Sequence, residues 1–386
     1  MDEHQLAAAL IGYDTSCDEG LRSAAAFVKA WLETNDIRVD ETNHRGLPVL
    51  LADVGPPDAP SVILHGHLDV VPARAGQFEP RVEGDRLFGR GAYDMKGALA
   101  GMMFAMRDAA SQRAVRLRLL CVPDEESADV DRRSTEVLVQ DGLRADFAIT
   151  GEPTDLQIGV EAKGVLAVRI HVCGTAAHGS TPWLGDNAIL KTHDAFRRIE
   201  TLPFSQESSD LFDRPSINLA RIEGGDAFNK VPDSCWMDVD IRYLPGQDPQ
   251  EILAQIREIP DLEIGRMLHR EPATVSRSNP YVLALGDAAG RWGGAETLSI
   301  GRDGASDVIW FLAAGVPAVE FGPVGGGHHG PGEWVSLSSL GHYRRTLGHF
   351  VAGLGRQAGR EGRPALRAVD GGLAVDGGLA VDGGLA

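Results

Sequence analysis

Cysteine is scarce. The 386 residues hold four, Cys17, Cys121, Cys173 and Cys235, widely spaced and without a Cys-x-x-Cys pair. They are expected to be free, mostly buried thiols in a reducing compartment. No apolar stretch approaches the roughly 20 residues that a membrane-spanning helix needs. The opening Met1-Asp2-Glu3-His4 has no basic segment leading into an apolar run, the mark of a secretory signal. These absences predict a soluble, cytoplasmic protein. Positive charge is short as well: 37 Lys and Arg stand against 55 Asp and Glu, a net charge of −18. Nucleic acid and anionic membrane both call for a basic face, so neither is expected as a partner. A solvated acidic surface accounts for most of the excess.

Glycine, by contrast, is plentiful, and the length suffices for two domains with a sizeable core. Helical patterns over residues 2–12 and 19–35 precede strands at 49–54 and 61–64, each bounded by Gly and Pro. Asp94 opens a strongly apolar helix at 98–109. The strand at 115–122 runs into Asp124-Glu125-Glu126, and a helix and a strand at 145–150 follow. Strands alternating with helices predict an α/β domain with a largely parallel sheet. Ligands of such sheets bind in loops at the carboxyl ends of the strands.

From Lys163 the texture changes. Gly164 to Val172 alternates like a half-exposed antiparallel strand. A helix (187–200), strands (216–222 and 234–243), a helix (249–257) and a strand (262–268) complete a small α+β sandwich. The α/β pattern resumes near Asn279 and ends in a helix at 336–355. The expected organisation is a discontinuous catalytic metal-binding domain (1–162 and 274–363) with an inserted lid and dimerisation domain (163–273). Residues 364–386 form a tail in which Ala-Val-Asp-Gly-Gly-Leu occurs three times from Ala368. Three copies cannot bury a core, so a flexible appendage is expected.

Several polar clusters border the predicted strands. His67 and Asp69 stand two apart at a strand end, so their side chains can share one side. A metal-bound histidine commonly donates its other ring N–H to a carboxylate, a role that suits Asp69. A polar pair in a loop is the plainer alternative. His65 reads as structural. Asp94 at a helix start would by default be an N-cap, but Gly89, Gly91 and Gly97 around it allow close backbone approach and a bridging carboxylate. Glu125 and Glu126 are either a charged first turn or a pair that divides metal binding from proton transfer. Glu152 follows a strand and precedes Pro153. His328 and His329 follow Gly325-Gly326-Gly327, in a surface loop or as the imidazole that a second metal lacks. Together these residues can supply two imidazoles and three carboxylates to a pair of divalent ions, with one carboxylate left for protons. Mixed His and carboxylate donors fit Zn²⁺ best, with Co²⁺ or Mn²⁺ as replacements.

The clusters His67-Leu68-Asp69-Val70-Val71-Pro72, Gly91-Ala92-Tyr93-Asp94-Met95-Lys96-Gly97, Asp124-Glu125-Glu126, Gly151-Glu152-Pro153-Thr154 and His329-Gly330-Pro331-Gly332-Glu333 resemble a known family. It is the co-catalytic zinc hydrolase family of acetylornithine deacetylase, succinyl-diaminopimelate desuccinylase, aminoacylase and glutamate carboxypeptidase. The resemblance covers residues 6–355. It implies that His67 and Glu152 bind one metal, Glu126 and His329 the other, and that Asp94 bridges them. It makes Asp69 the orienter of His67, and Glu125 the general base. Ala177-His178-Gly179-Ser180-Thr181-Pro182 is similar to the family's lid motif. There His178 would stabilise the oxyanion in the active site of a partner subunit, in a homodimer joined through the inserted domain.

Asn229, Arg242, Gly304 and Ser306 stand at positions that resemble substrate contacts. Arg242 also fits a simple exposed cation of an alternating strand, although an arginine is well shaped to bind a carboxylate. Two departures stand out. Ser127-Ala128-Asp129-Val130 follows Glu126 where many relatives carry glycines, and Gly332 stands where Asn or Asp is usual. The implied function is metal-dependent removal of an acyl group from an N-acyl amino acid. The alternative is a carboxypeptidase acting on small peptides or conjugates with a free carboxylate. A non-enzymatic metal-binding module is the reading of a different class, and an intact Glu125 and His178 argue against it.

Overall fold

The computed structural model describes residues 1–127, 132–291, 299–304 and 306–361, with side chains to residue 356. Its centre is a nine-stranded mixed sheet. In spatial order the strands are Arg38–His44, Leu47–Val54, Arg116–Val122, Ser61–His67, Phe147–Thr150, Ala318–Glu320, Ile158–Ala162 and Ala273–Thr274, with Ser299–Arg302 also paired to Ile158–Ala162. The middle of the sheet is parallel, from Arg116–Val122 across to Ala318–Glu320. Its flanks are antiparallel, except that Ser299–Arg302 runs parallel to Ile158–Ala162. This is the α/β architecture that the alternation of elements predicts.

The composition of the strands follows from their place. Ser61–His67 and Arg116–Val122 are buried at nearly every position, as strands covered on both faces must be. Helix Gly97–Ala109 is apolar almost all round and accordingly buried, packed against the long helix Leu337–Glu361. Strand Arg38–His44 has no hydrophobic pattern to announce it. It lies at the sheet edge, and Val39 is its one buried side chain.

The chain leaves the central sheet at Ala162 and returns at Ala273, which is paired directly opposite it. Between these points it builds a four-stranded antiparallel sheet in the order Ser216–Gly224, Ser234–Tyr243, Gly164–Cys173, Leu262–Arg270. Helices Ala188–Ile199 and Pro249–Arg257 pack on it around a core of its own that includes Leu166, Ile170, Met237, Ile241 and Ile256. The strict alternation of Ser234–Tyr243 is what a sheet with one covered face requires.

A third, small sheet pairs Gly325–Gly326, Trp334–Ser336, Arg86–Phe88 and Arg81–Glu83 in that order. It carries the loop that holds His328 and His329 across to the segment after Phe88. All four cysteines are free, but only Cys121 and Cys235 are buried, while Cys17 and Cys173 are exposed, so burial is less general than expected. Among the described residues no helix is long and apolar enough to cross a membrane. The repeated tail, 364–386, lies outside the described residues, as do Ala128 to Val130 of the segment after Glu126.

Candidate metal centre

Three neighbouring parallel strands aim their carboxyl ends at one edge of the central sheet. His67 is the last residue of Ser61–His67; Glu125 and Glu126 lie just past Arg116–Val122; Glu152 lies just past Phe147–Thr150. The pairing continues into the loops, with Leu68 N–H donating to the Val122 carbonyl at 2.8 Å and Gly151 N–H to that of His65 at 3.0 Å. Glycine suits position 151, because a Cβ would lie 2.5 Å from Met95 Cε and would push that side chain aside.

Asp94 enters from the turn Ala92–Lys96, which begins at Gly91 with φ of 81° and leads into helix Gly97–Ala109. Its carboxylate is the middle of the cluster. Oδ1 lies 3.1 Å from His67 Nε2, and Oδ2 lies 2.6 Å from His328 Nε2 and 3.3 Å from His329 Nε2. His329 Nε2 is also 2.8 Å from Glu126 Oε1, and His67 Nε2 is 3.9 Å from Glu152 Oε1. Two overlapping sets of donor atoms lie close enough for a shared ion: His67 with Asp94 and Glu126, and Asp94 with His328 and His329. His67 is fully buried, whereas the side chains of His328 and His329 are each 46 % exposed, so the second set faces the approach from solvent.

Asp69 does two jobs. Its backbone carbonyl stands 2.9 Å from His67 Nδ1, with Oδ1 at 3.4 Å. Its carboxylate accepts the backbone N–H groups of Glu125 (3.1 Å) and Glu126 (2.7 Å), which fixes the loop that carries both. His65, also buried, contacts Thr135 Oγ1 at 3.0 Å and Asp307 at 3.4 Å.

The electrostatics suit cations. Burial pushes the Glu152 carboxyl well above its ordinary range, and the charge of Asp94 adds to this. Burial alone would lower His67, but its hydrogen bonds to Asp69 and Asp94 hold it well above the usual imidazole value. Burial likewise opposes ionisation of Asp94, yet the imidazoles of His328, His329 and His67 hold its carboxyl well below the usual range. Glu152 Oε1 is buried and has no hydrogen-bond partner. An orphaned carboxylate oxygen among imidazoles and other carboxylates is a donor without an acceptor charge, and divalent cations fit that set.

Other residues matter that the sequence did not single out. Glu333 is buried and accepts the backbone N–H groups of Tyr93 (3.0 Å) and Asp94 (3.1 Å) on one oxygen and Arg90 Nη1 (2.6 Å) on the other. Arg90 Nη2 then donates to the carbonyl of His329 at 2.8 Å. Glu333 and Arg90 thus tie the Asp94 turn to the histidine loop. Glu125 Oε1 accepts Arg133 Nη1 at 2.6 Å, and burial pushes the Glu125 carboxyl up to about 8 even against that guanidinium.

The residues expected to touch substrate are placed differently. Among the described residues no hydrogen bond or ion pair joins His178, Asn229 or Arg242 to the cluster. His178 is exposed, with Nδ1 2.8 Å from Ser180 Oγ, and Gly179 N–H donates to the Asn229 carbonyl at 2.7 Å. Arg242 Nε is engaged by both oxygens of Asp240, at 3.0 and 3.1 Å. Ser306 is buried and donates its hydroxyl to Glu320 Oε1 at 2.6 Å. Gly304 is exposed, and Ala305 between them lies outside the described residues.

Comparison with known proteins identifies the family. Residues 63–353 match peptidase family M20/M25/M40. The chain is 31 % identical over 277 residues to the succinyl-diaminopimelate desuccinylase of Corynebacterium glutamicum, covering 68 % of this chain and 73 % of that one. It is 32 % identical over 253 residues to the acetylornithine deacetylase of Proteus mirabilis, covering 62 % and 65 %. In fold it resembles an M20 family metallo-carboxypeptidase from Sulfolobus solfataricus, with a TM-score of 0.73, 20 % identity, and coverage of 92 % of this chain and all of the other. The chain therefore belongs to peptidase family M20/M25/M40 and is a hydrolase of amide bonds.

Proposed function

We propose that this protein is a dinuclear-metal-dependent deacylase that releases the acyl group from an N-acyl amino acid, in the manner of the acetylornithine deacetylases and desuccinylases it resembles. The observation that carries the reading is the two-sided use of Asp94, one oxygen toward His67 and the other toward the histidine loop. His67 and Glu152 would hold one ion, Glu126 and His329 the other, with Asp94 between them. Zn²⁺ is the best match to these donors, with Co²⁺ or Mn²⁺ as substitutes. When bound, such ions acidify water and polarise a carbonyl.

The rest of the work falls to the protein. Glu125 takes the proton of the attacking water and delivers it to the leaving nitrogen. Its high proton affinity in a buried setting matches that exchange. Asp69 fixes the ring of His67 and the loop of Glu125 together. His178 from a partner subunit stabilises the oxyanion, which requires residues 163–273 to act as lid and dimer contact of a homodimer. Arg242, with Asn229 and the Gly304–Ser306 loop, receives the amino-acid part, and the guanidinium suits its carboxylate. The products are a carboxylic acid and an amine, and the setting is cytoplasmic.

The test is a panel of acetyl, succinyl and dipeptide amides, each assayed on protein supplied with Zn²⁺, Co²⁺ or Mn²⁺. Turnover of the acyl amino acids ahead of the dipeptides supports the deacylase. Preference for dipeptides would make the protein a carboxypeptidase, and release of aromatic amines alone would end both readings.

A further inference from the structure

Glu125 is held from outside the metal cluster. Arg133 Nη1 donates to Glu125 Oε1 at 2.6 Å and reaches Asp307 Oδ1 at 3.3 Å. Asp307 is itself immobilised: fully buried, it accepts the hydroxyl of Thr135 and faces His65 Nε2 at 3.4 Å. The next residue along the chain grips the same loop, because Ser134 donates both its N–H and its hydroxyl to Asp124 Oδ2 at 2.9 Å. Two consecutive residues at the start of helix Ser134–Gln140 therefore hold two consecutive acids, Ser134 holding Asp124 and Arg133 holding Glu125.

We infer that Arg133 is the positioning residue of Glu125, anchored by Asp307 so that the carboxylate stays aimed at the reacting water. The inference rests on the role of Glu125 in the proposed function. Three features favour it over a purely structural ion pair. A buried pair adds little net stability, so its value lies in geometry. Arg133 meets its two partners with a single nitrogen, Nη1, and its Nε is buried without a partner, which is not the two-pronged contact that would grip either carboxylate most strongly. Finally, only one oxygen of Glu125 is engaged, and a base needs only the other. Without the clamp, Glu125 faces the carboxylates of Asp307, Asp69 and Glu152 with no cation beside it, and their charges repel it. A displacement of about 1 Å at a reacting group costs on the order of 10²-fold in rate. Asp307 belongs to the loop of Ser306, so the clamp also links the substrate side of the site to its base.

Two measurements decide the matter. The first is the crystal structure of metal-free R133A beside that of the wild type. The Glu125 carboxylate should move by more than about an ångström or lose definite density; an unmoved Glu125 overturns the inference. The second is kinetic, on the best amide of the panel. In R133A kcat should fall on the order of 10²-fold with KM nearly unchanged, and millimolar guanidinium should restore part of it. Equal kcat, or no rescue, counts against Arg133. If R133A does not fold, R133K carries both measurements, since the shorter lysine leaves its ammonium short of the place that Arg133 Nη1 holds between the two carboxylates, and kcat should fall about tenfold. If the wild type hydrolyses no amide, the deacylase reading fails, and the crystal structures still settle the clamp.

Discussion

The metal-side cluster and the inserted segment 163–273 are built on opposite plans. In the first, His67, Asp94 and Glu152 are buried and close together, His67 and Glu152 at the ends of parallel strands and Asp94 on the turn Ala92–Lys96. In the second, His178 and Asn229 are exposed and Arg242 is occupied by Asp240 on its own strand. A buried cluster of like groups is tolerable only with compensating charge, so its purpose is written into its packing. The side chains of His178 and Arg242 have their contacts within that segment, to Ser180 and Asp240, and none to the cluster among the described residues. Under the proposed function, chemistry would be fixed by the sheet and selectivity left to a surface.

Substitutions can break that contrast in a graded way. E125Q should lower kcat on the order of 10³-fold while leaving metal content unchanged, as measured by elemental analysis beside the assay. Equal loss of metal would show that Glu125 is a ligand and not a base. H178A should cost about 10²-fold in kcat, again with full metal. Mixing the E125Q and H178A proteins should then recover activity, because a mixed dimer has one intact site; no recovery would place His178 outside the partner's site. E333Q acts on the other side of the comparison. By loosening the Asp94 turn and the histidine loop it should weaken metal binding about 10- to 100-fold, read by competition with a chelating dye. R242A should have the smallest effect, raising KM about tenfold with little change in kcat or metal affinity.

Much of the first region was legible in the sequence because its signals are local. His67, Glu126 and Glu152 each stand beside an apolar strand, and the strand pattern alone puts them at one edge. The glycines around Asp94 told of close approach, and Gly91 indeed takes a left-handed φ. What escaped was whatever depends on distant pairing. Glu333 gains its meaning from Arg90 and Tyr93, which the small third sheet brings to it. Arg133 and Asp307 are far apart in sequence and carry no shared pattern. His328 and His329 are adjacent, so spacing could not show that His328 also reaches Asp94. Ser306 was expected at the substrate, yet its hydroxyl turns inward to Glu320, a direction that no sequence pattern encodes. Strand Arg38–His44 escaped for a simpler reason: an edge strand that buries one side chain has no hydrophobic period to read.

The central claim is that Asp94 is shared by two ions. Calorimetric titration of the metal-free protein with Zn²⁺ tests it most directly, with wild type and D94A compared at one pH. The account predicts two equivalents bound per chain by the wild type and loss of tight binding at both positions in D94A. A single equivalent in the wild type, or two tight equivalents in D94A, would contradict it.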